Sequence, residues 1–95
     1  MTYKVVLTRS AFRDLEAIEA HLVEKNVVAA AEVSVAINQR LRVLKDNPRA
    51  GKRYKSDVVR ELAGPRFRLF YRVNDEGRLI EVLSIRSPRQ DEPRF

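Results

Sequence analysis

The residues best suited to chemistry lie on two segments near the C-terminus that are predicted to be strands. Residues 66–73 read RFRLFYRV, and residues 78–87 read RLIEVLSIRS. Because side chains alternate faces along a strand, one face collects the arginines of both segments: Arg66, Arg68, Arg72 and Arg86. Guanidinium groups pair well with carboxylates and phosphates. This face is therefore predicted to bind a negatively charged partner.

Metal-free cleavage of RNA is one reaction that such a face could support. The 2′-hydroxyl attacks the adjacent phosphate, which requires a proton acceptor, a proton donor and positive charge at the transition state. Arg68, Arg86, Lys52 and Lys55 could supply the charge. Arg stays protonated and Lys transfers protons only when its pKa is lowered, so both are weaker candidates for proton transfer. Tyr54 is the one plausible phenol outside the predicted core.

The same arginines also suit a docking groove for an acidic peptide, because arginine forks pair with carboxylates. Arginines that alternate with aromatic residues occur in ordinary exposed sheets as well. Tyr71 falls on the other face of its strand, where we expect it to serve the core. The residues alone leave catalysis and peptide docking open.

Several other chemistries lack the residues that they need. Cys is absent, which excludes disulfides, thiol nucleophiles and thiolate metal sites. The only histidine, His21, falls on a predicted helix and is expected at the surface. No cluster has metal-ligand spacing, and the three glycines are too scattered for a phosphate-binding loop. We expect neither a metal nor a cofactor.

Charge and composition narrow the class of partner. The 95 residues suit one domain over 1–95, and the chain carries a net charge of +6. Residues 48–95 hold 12 Lys and Arg against 7 Asp and Glu, so the C-terminal half carries nearly all of the excess. This indicates an acidic partner, nucleic acid or protein, although a merely solvated basic surface gives the same count. Because no apolar run could span a bilayer, we expect no membrane contact and a cytoplasmic location.

The elements that must position these residues are predicted in the order strand, helix, helix, strand, strand, strand. A first strand covers residues 3–7, and a helix capped by Thr8 or Ser10 follows. Asn26 caps a second helix over residues 28–45, and a basic loop over residues 48–57 leads to a strand at 58–62. Residues 87–95 are expected to form an irregular or extended tail. The apolar positions of the helices are Phe12, Leu15, Ile18, Leu22, Val33, Ile37, Leu41 and Leu44.

The last two strands are expected to form a hairpin through Asn74 and Gly77, with a type I turn closed by a residue of positive φ. In that register one face is apolar and packs on the helices: Phe67, Leu69, Tyr71, Val73, Leu79, Leu83 and Ile85. The other face carries the remaining residues: Arg66, Arg68, Phe70, Arg72, Ile80, Val82, Ser84 and Arg86. We therefore predict an α+β fold, a small antiparallel sheet in the order β-α-α-β-β-β with a helical hairpin packed on one face.

Three segments together resemble the RelE/ParE superfamily of toxins from type II toxin–antitoxin operons. The opening strand and helix resemble it in YKVVLTRSAFRDLEAIEAHL, with a hydroxyl residue after the strand. The end of the second helix and its loop resemble it in LKDNPRAGKRY, and the core hairpin in FRLFYRVNDEGRLIEVLSI. The resemblance covers almost the whole chain and implies a small antiparallel sheet with a helical hairpin on one side.

The resemblance implies one of two activities. RelE-like toxins cleave mRNA in the ribosomal A site, and ParE-like toxins bind and poison DNA gyrase. Arg68 matches the RelE-type catalytic arginine, Lys52 and Lys55 match its basic loop residues, and Arg86 or Arg89 matches the arginine beyond the last strand. RelE-like nucleases carry Tyr or His-Tyr near the C-terminus, whereas this chain ends PRF and lacks a phenol or imidazole there.

The ParE-like activity is the leading expectation, and it would make the protein a non-enzymatic gyrase inhibitor. The alternatives are a ribosome-dependent mRNA endonuclease and an inactive relative that acts only in an antitoxin or DNA-binding complex. In every case the implied partner is a cognate antitoxin, expected to be acidic and partly disordered, and operator DNA is reached only through it. The residues expected to bind target or antitoxin are Arg66, Arg68, Arg72, Arg86, Arg89, Arg94 and Phe95.

Overall fold

The computed structural model describes residues 2–88, 90, 92 and 93. Two helices follow a first strand, and four further strands complete the chain. The strands are β1 (Lys4–Leu7), β2 (Lys52–Arg53), β3 (Val59–Gly64), β4 (Phe67–Asn74) and β5 (Leu79–Arg86), and the helices are α1 (Arg9–Lys25) and α2 (Val27–Asp46). The α+β class and the helical hairpin are confirmed. The sequence missed β2, a two-residue strand inside the basic loop.

Polar caps set the helix boundaries close to their predicted positions. The Thr8 hydroxyl accepts a hydrogen bond from the Ala11 amide at 3.2 Å, which fixes the start of α1. Asn26 ends α1 with its own amide, which donates to the Leu22 carbonyl, and starts α2 with its side chain, which accepts from the Ala29 amide. One residue therefore serves both helices and keeps the hairpin connection short.

The sheet has the order β1-β5-β4-β3-β2, with β1 parallel to β5 and every other pair antiparallel. The predicted meander of the last three long strands is confirmed, and β1 joins the same sheet as expected. Because β4 is the central strand, its side chains have neighbours on both sides and on both faces. The arginines of β4 are therefore held by two flanking strands.

The helices cover one face of the sheet and build the main core there. Phe67, Leu69 and Tyr71 of β4 are fully buried against Ile37 and other helix residues. Leu15, Leu22 and Leu41 pack against the same cluster, as their spacing predicts. Phe12 is the exception, because 51% of it is exposed.

A close approach fixes the basic loop against this core. The Gly51 amide donates a hydrogen bond to the Tyr71 hydroxyl at 2.9 Å, so the one polar atom of a buried ring is satisfied. A Cβ at Gly51 would lie 2.6 Å from the Glu61 carbonyl oxygen, so only glycine fits without displacement. The loop that contains Lys52 is therefore positioned by backbone contacts.

The predicted register of β5 is wrong for its first half. Asn74 pairs with Leu79 across a four-residue loop, and the positive φ falls on Arg78 rather than Gly77. This pairing turns Ile80 and Val82 toward the helices, where both are fully buried.

A β-bulge then returns Ile85 and Arg86 to their expected faces, whereas the Ser84 hydroxyl, expected on the arginine face, donates a hydrogen bond to Asp14 of α1 at 3.0 Å. Phe70 pairs with Ser84 and Tyr71 with Val82, which leaves Leu83 as the extra residue. Leu83 was predicted to lie in the main core, but it packs on the face away from the helices. Beyond it, Ile85 lies in the main core and Arg86 lies on the same face as Arg68, both as predicted, and the two arginines are cross-strand neighbours.

A polar cross-link joins the hairpin loop to the rest of the fold. Asp75 accepts hydrogen bonds from both terminal nitrogens of Arg49, at 3.1 and 2.6 Å, and from the Tyr3 hydroxyl at 2.6 Å. The hydrogen bonds from Arg49, and then from Tyr3, lower the pKa of Asp75 from 3.8 to about 2. The charged form of this carboxylate is therefore favoured by folding.

Asp75→Asn is expected to lower the stability at neutral pH and to have little effect in strong acid. The folded pKa of Asp75 is depressed, so its contribution is present above 3.8 and is lost as the pH falls toward about 2. Urea midpoints of the wild type and the variant should therefore converge over this range. Glu76→Gln, the same charge change at the adjacent exposed residue, is the control. A difference that stays constant with pH would contradict this assignment.

Candidate binding site around Arg68

The face of the sheet away from the helices carries a cluster that we call the Arg68 site: Arg68, Glu61, Tyr54, Phe70 and Glu92. Strand pairing brings three of these together, because Glu61 of β3 lies opposite Phe70 of β4, which is close to Arg68 along the same face. Tyr54 arrives from the loop after β2, and Glu92 from the chain beyond β5. Four separate segments therefore contribute to one site.

The Arg68 guanidinium binds two carboxylates of its own chain. One terminal nitrogen donates to Glu61 at 3.2 Å, and the other donates to Glu92 at 3.0 Å. The group also lies over the Phe70 ring, 5.2 Å from its centroid. These contacts leave 27% of the Arg68 side chain exposed. The hydrogen bond to Glu92 is the main cause that raises the pKa of Arg68.

A second, smaller hydrophobic cluster supports the site from below. Phe70 is fully buried among Tyr54, Val59 and Leu83, although it lies on the face that was predicted to be open. The Tyr54 ring meets Phe70 edge to face, with centroids 4.7 Å apart and planes at 66°. This cluster gives both Arg68 and Tyr54 a fixed floor.

Glu92 joins Tyr54 to Arg68. Its carboxylate accepts a hydrogen bond from the Tyr54 hydroxyl on one oxygen and from Arg68 on the other. The hydrogen bond from Tyr54, and then the one from Arg68, lower the pKa of Glu92. The hydrogen bond between Tyr54 and Glu92 also raises the pKa of Tyr54. A tyrosine so arranged is a poorer proton donor to any other group.

The chain beyond β5 turns back to bring Glu92 to this place. The Ser87 amide donates to the Gln90 side-chain oxygen at 2.7 Å, and the Gln90 amide donates to the Ser87 carbonyl at 3.2 Å. Pro93 is buried, so it is a second point of attachment. The described tail residues thus contain a turn, in agreement with the expected irregular tail.

The other predicted arginines do not form one open face. Arg72 is paired with Glu81 of β5 at 2.9 Å. Arg66 precedes β4 in a turn, with φ 68°, and lines a groove beside α1 instead of extending the strand. Arg86 lies opposite Arg68, and its Nε is buried without a hydrogen-bond partner among the described residues. Arg89, Arg94 and Phe95 lie outside the described residues.

The predicted basic loop residues lie at the edge of the site. Lys52 is exposed on β2, next to β3. Lys55 has a positive φ of 57°, and its ammonium lies 5.3 Å from the centre of the Tyr54 ring. His21 lines the groove beside α1, where Lys25 and Arg66 add positive charge.

Sequence reasoning missed the two carboxylates, Glu61 and Glu92. Glu61 could have been found, because it is the one acid in VRELAG and shares a face with Val59 on a strand next to the arginines. Glu92 gives no such local signal, because it lies beyond the last strand. Within the described part of the chain, no group of three His, Cys, Asp or Glu side chains could hold a metal ion.

The comparisons with known proteins agree with this geometry. A family model described as the ParE toxin of the type II toxin–antitoxin system parDE matches residues 5–92. The chain belongs to the ParE toxin family. Comparison with curated proteins gives no match. Within the part of the chain that the structure describes, neither helix is long and apolar enough to cross a membrane.

Solved structures show the same fold. The chain is similar to one from the chromosomal ParDE system of P. aeruginosa, with 27% identity and a TM-score of 0.74 over 90% of this chain and 96% of that one. It is similar to one from the RelBE2 complex of Mycobacterium tuberculosis, with 22% identity and a TM-score of 0.67 over 95% of both chains. The isolated E. coli RelE toxin has 18% identity and a TM-score of 0.62 over 95% of this chain and 88% of that one.

Phe70→Ala is expected to destabilise this ParE-family toxin by about 3–5 kcal/mol, although Phe70 lies on the face opposite the helices. The ring is fully buried, and its loss also removes the floor under Arg68 and Tyr54. Urea unfolding followed by circular dichroism measures the change.

Phe12→Ala is the matched control, because Phe12 is half exposed, and its effect should stay within about 0.5 kcal/mol. Equal effects of the two substitutions would show that the second cluster does not act as a core.

Proposed function

We propose that this ParE-family toxin inhibits DNA gyrase without cleaving RNA, and that a cognate antitoxin neutralises it. The observation that carries the proposal is the state of Arg68, the residue that the family resemblance matches to the catalytic arginine of RelE-like nucleases. Both of its terminal nitrogens are bound to carboxylates of the same chain. A scissile phosphate would have to compete with two carboxylates for the N–H donors and the positive charge of this guanidinium.

The charges around Arg68 also favour gyrase inhibition over RNA cleavage. Stabilising a pentavalent phosphate requires net positive charge in a preorganised site. Glu61 is 9% exposed and lies against Arg68, so it cancels much of that charge at the place where it would be needed. Lys52 and Lys55 could offset this loss only from the exposed loop.

Proton transfer has no well-placed group in the described part of the chain. The Tyr54 hydroxyl donates a hydrogen bond to Glu92, and the raised pKa of Tyr54 makes it a weaker acid. His21 lines the groove beside α1, a different part of the molecule. A toxin that acts by binding needs neither group.

The antitoxin is the partner that the comparisons favour. The similar chains come from systems described as ParDE and RelBE2, in which a toxin is paired with an antitoxin. The net charge of +6 suits an acidic antitoxin segment, and we propose that operator DNA is contacted through that antitoxin. A neighbouring gene for a small acidic protein would supply the cognate partner for experiments.

The second candidate is the ribosome-dependent mRNA endonuclease, and Arg86 favours it. Arg86 lies across the strands from Arg68, and its buried Nε has no hydrogen-bond partner among the described residues. A phosphate could satisfy this donor.

An inactive relative that only binds its antitoxin is the third candidate, and it would cause no growth defect.

Induced expression without antitoxin is expected to cause filamentation and a DNA-damage response while translation continues. The purified chain should also inhibit supercoiling by gyrase. We propose that gyrase is bound through the basic surface and the C-terminal tail together, so Arg68→Ala, which removes one contact, should reduce toxicity less than deletion of residues 91–95. Arg42→Ala on α2 is the charge-matched control.

Arrest of translation before any DNA damage, with cut ends in ribosome-bound mRNA that Arg68→Ala abolishes, would establish the nuclease instead. Equal toxicity of the full-length and tail-deleted chains would also count against gyrase inhibition through the tail.

A further inference from the structure

We propose that Arg68 and Tyr54 form a carboxylate-binding subsite that Glu92 fills from within the chain, and that an acidic side chain of a partner protein replaces Glu92 there. The inference rests on the proposed function in one respect, since the partner would be the antitoxin. It adds the chemical group that the antitoxin presents and the place where that group binds.

The geometry is that of a site built for one planar carboxylate. Two donors from different segments, the Arg68 guanidinium and the Tyr54 hydroxyl, each bind a different oxygen of Glu92. Paired donors of this kind give charge-assisted hydrogen bonds and fix the orientation of the carboxylate. Any other glutamate or aspartate that reaches this position could make the same bonds.

The donors are fixed, whereas Glu92 is the more loosely held member. Arg68 is held by Glu61 and the Phe70 ring, and Tyr54 is held edge-on against the same ring. Glu92 has a side chain that is 50% exposed and lies outside the sheet. Arg68 and Tyr54 therefore keep their positions when the Glu92 side chain is displaced, and the buried Pro93 becomes exposed.

The surroundings offer further contacts to an acidic segment. Lys55 lies next to Tyr54, and the Nε of Arg86 is buried without a hydrogen-bond partner among the described residues. A partner with several acidic residues could bind Arg68 and these groups together. The lowered pKa of Glu92 agrees with a site that favours the ionised carboxylate.

A carboxylate fits better than the phosphodiester backbone of RNA. Glu61 already neutralises Arg68, so the subsite supplies directed hydrogen bonds more than net positive charge. Binding of nucleic acid depends mainly on net positive charge and on the release of counterions. The balance of charge therefore favours an acidic protein segment.

The consequence is competition between Glu92 and the partner. An internal ligand reduces the apparent affinity for an external one in proportion to the fraction of molecules in which the site is free. Removal of the Glu92 carboxylate should therefore strengthen the binding of an acidic segment, even though it removes a native contact.

The experiment measures the binding of a fluorescent tetraglutamate peptide to the purified full-length chain at low salt. Glu92→Gln should bind it roughly three- to tenfold more tightly than the wild type, because the internal competitor is weakened. Glu76→Gln, which makes the same change of charge at an exposed loop position, should leave binding unchanged. Arg68→Lys and Tyr54→Phe in the Glu92→Gln background should each remove the gain.

Two further probes distinguish the possible ligands. A tetraglutamine peptide should not bind, and a single-stranded RNA tetranucleotide should bind no more tightly to Glu92→Gln than to the wild type. Equal peptide affinity of Glu92→Gln and Glu76→Gln would overturn the proposal. A gain confined to the RNA would also overturn it and would assign the site to phosphate.

A spectroscopic measurement keeps the test independent of folding in the variants. On addition of the peptide to the wild-type chain, the amide resonances of Gln90 and Glu92 should move toward random-coil values while those of β4 shift only locally. Unchanged tail resonances at saturating peptide would contradict displacement. Neither result depends on toxicity, so failure of the gyrase proposal and failure of the subsite can be told apart.

Discussion

The pairing of the partly buried Arg68 with two carboxylates is the interaction on which the rest of this face depends. A guanidinium can be taken out of water over an aromatic ring only when acceptors satisfy its donors. Glu61 provides one acceptor from the neighbouring strand, and Glu92 provides another from the tail. The register of β3 against β4 is thereby coupled to the path of the chain after β5.

The central strand serves two cores at once. On one side Phe67, Leu69 and Tyr71 pack under the helices, and on the other Phe70 packs under Tyr54 and Leu83. The β-bulge makes this possible, because it sends Leu83 to the second cluster and returns Ile85 to the first. A surface that looks like an open basic face in sequence is therefore a small folded site with an apolar floor. This rigidity suits recognition of a specific partner group.

The parts of the fold that local chemistry controls could be predicted from the sequence. The caps at Thr8 and Asn26, the order of the elements and the burial of Tyr71 all follow from residue type and spacing. The family resemblance was confirmed by the match over residues 5–92.

The errors arise where distant segments decide the outcome. The face to which Ile80 and Val82 point depends on the length of the hairpin loop, and the face of Leu83 depends on the β-bulge, and only the strand pairing reveals either feature. The second carboxylate on Arg68 comes from Glu92, which lies 24 positions away in sequence and is marked by no sequence pattern. The alternation of β4 correctly placed Arg68 away from the helices, but alternation says nothing about which acids lie beside it.

The most direct test of the account is a double-mutant cycle between Glu61 and Arg68. Urea unfolding is measured for Glu61→Gln, Arg68→Met and the double variant, each compared with the wild type. If the partly exposed Arg68 guanidinium and the buried Glu61 carboxylate form an ion pair, the double variant should be less destabilised than the sum of the single variants, by at least about 0.5 kcal/mol. Strict additivity would contradict the pairing and, with it, the neutralisation of Arg68 by Glu61.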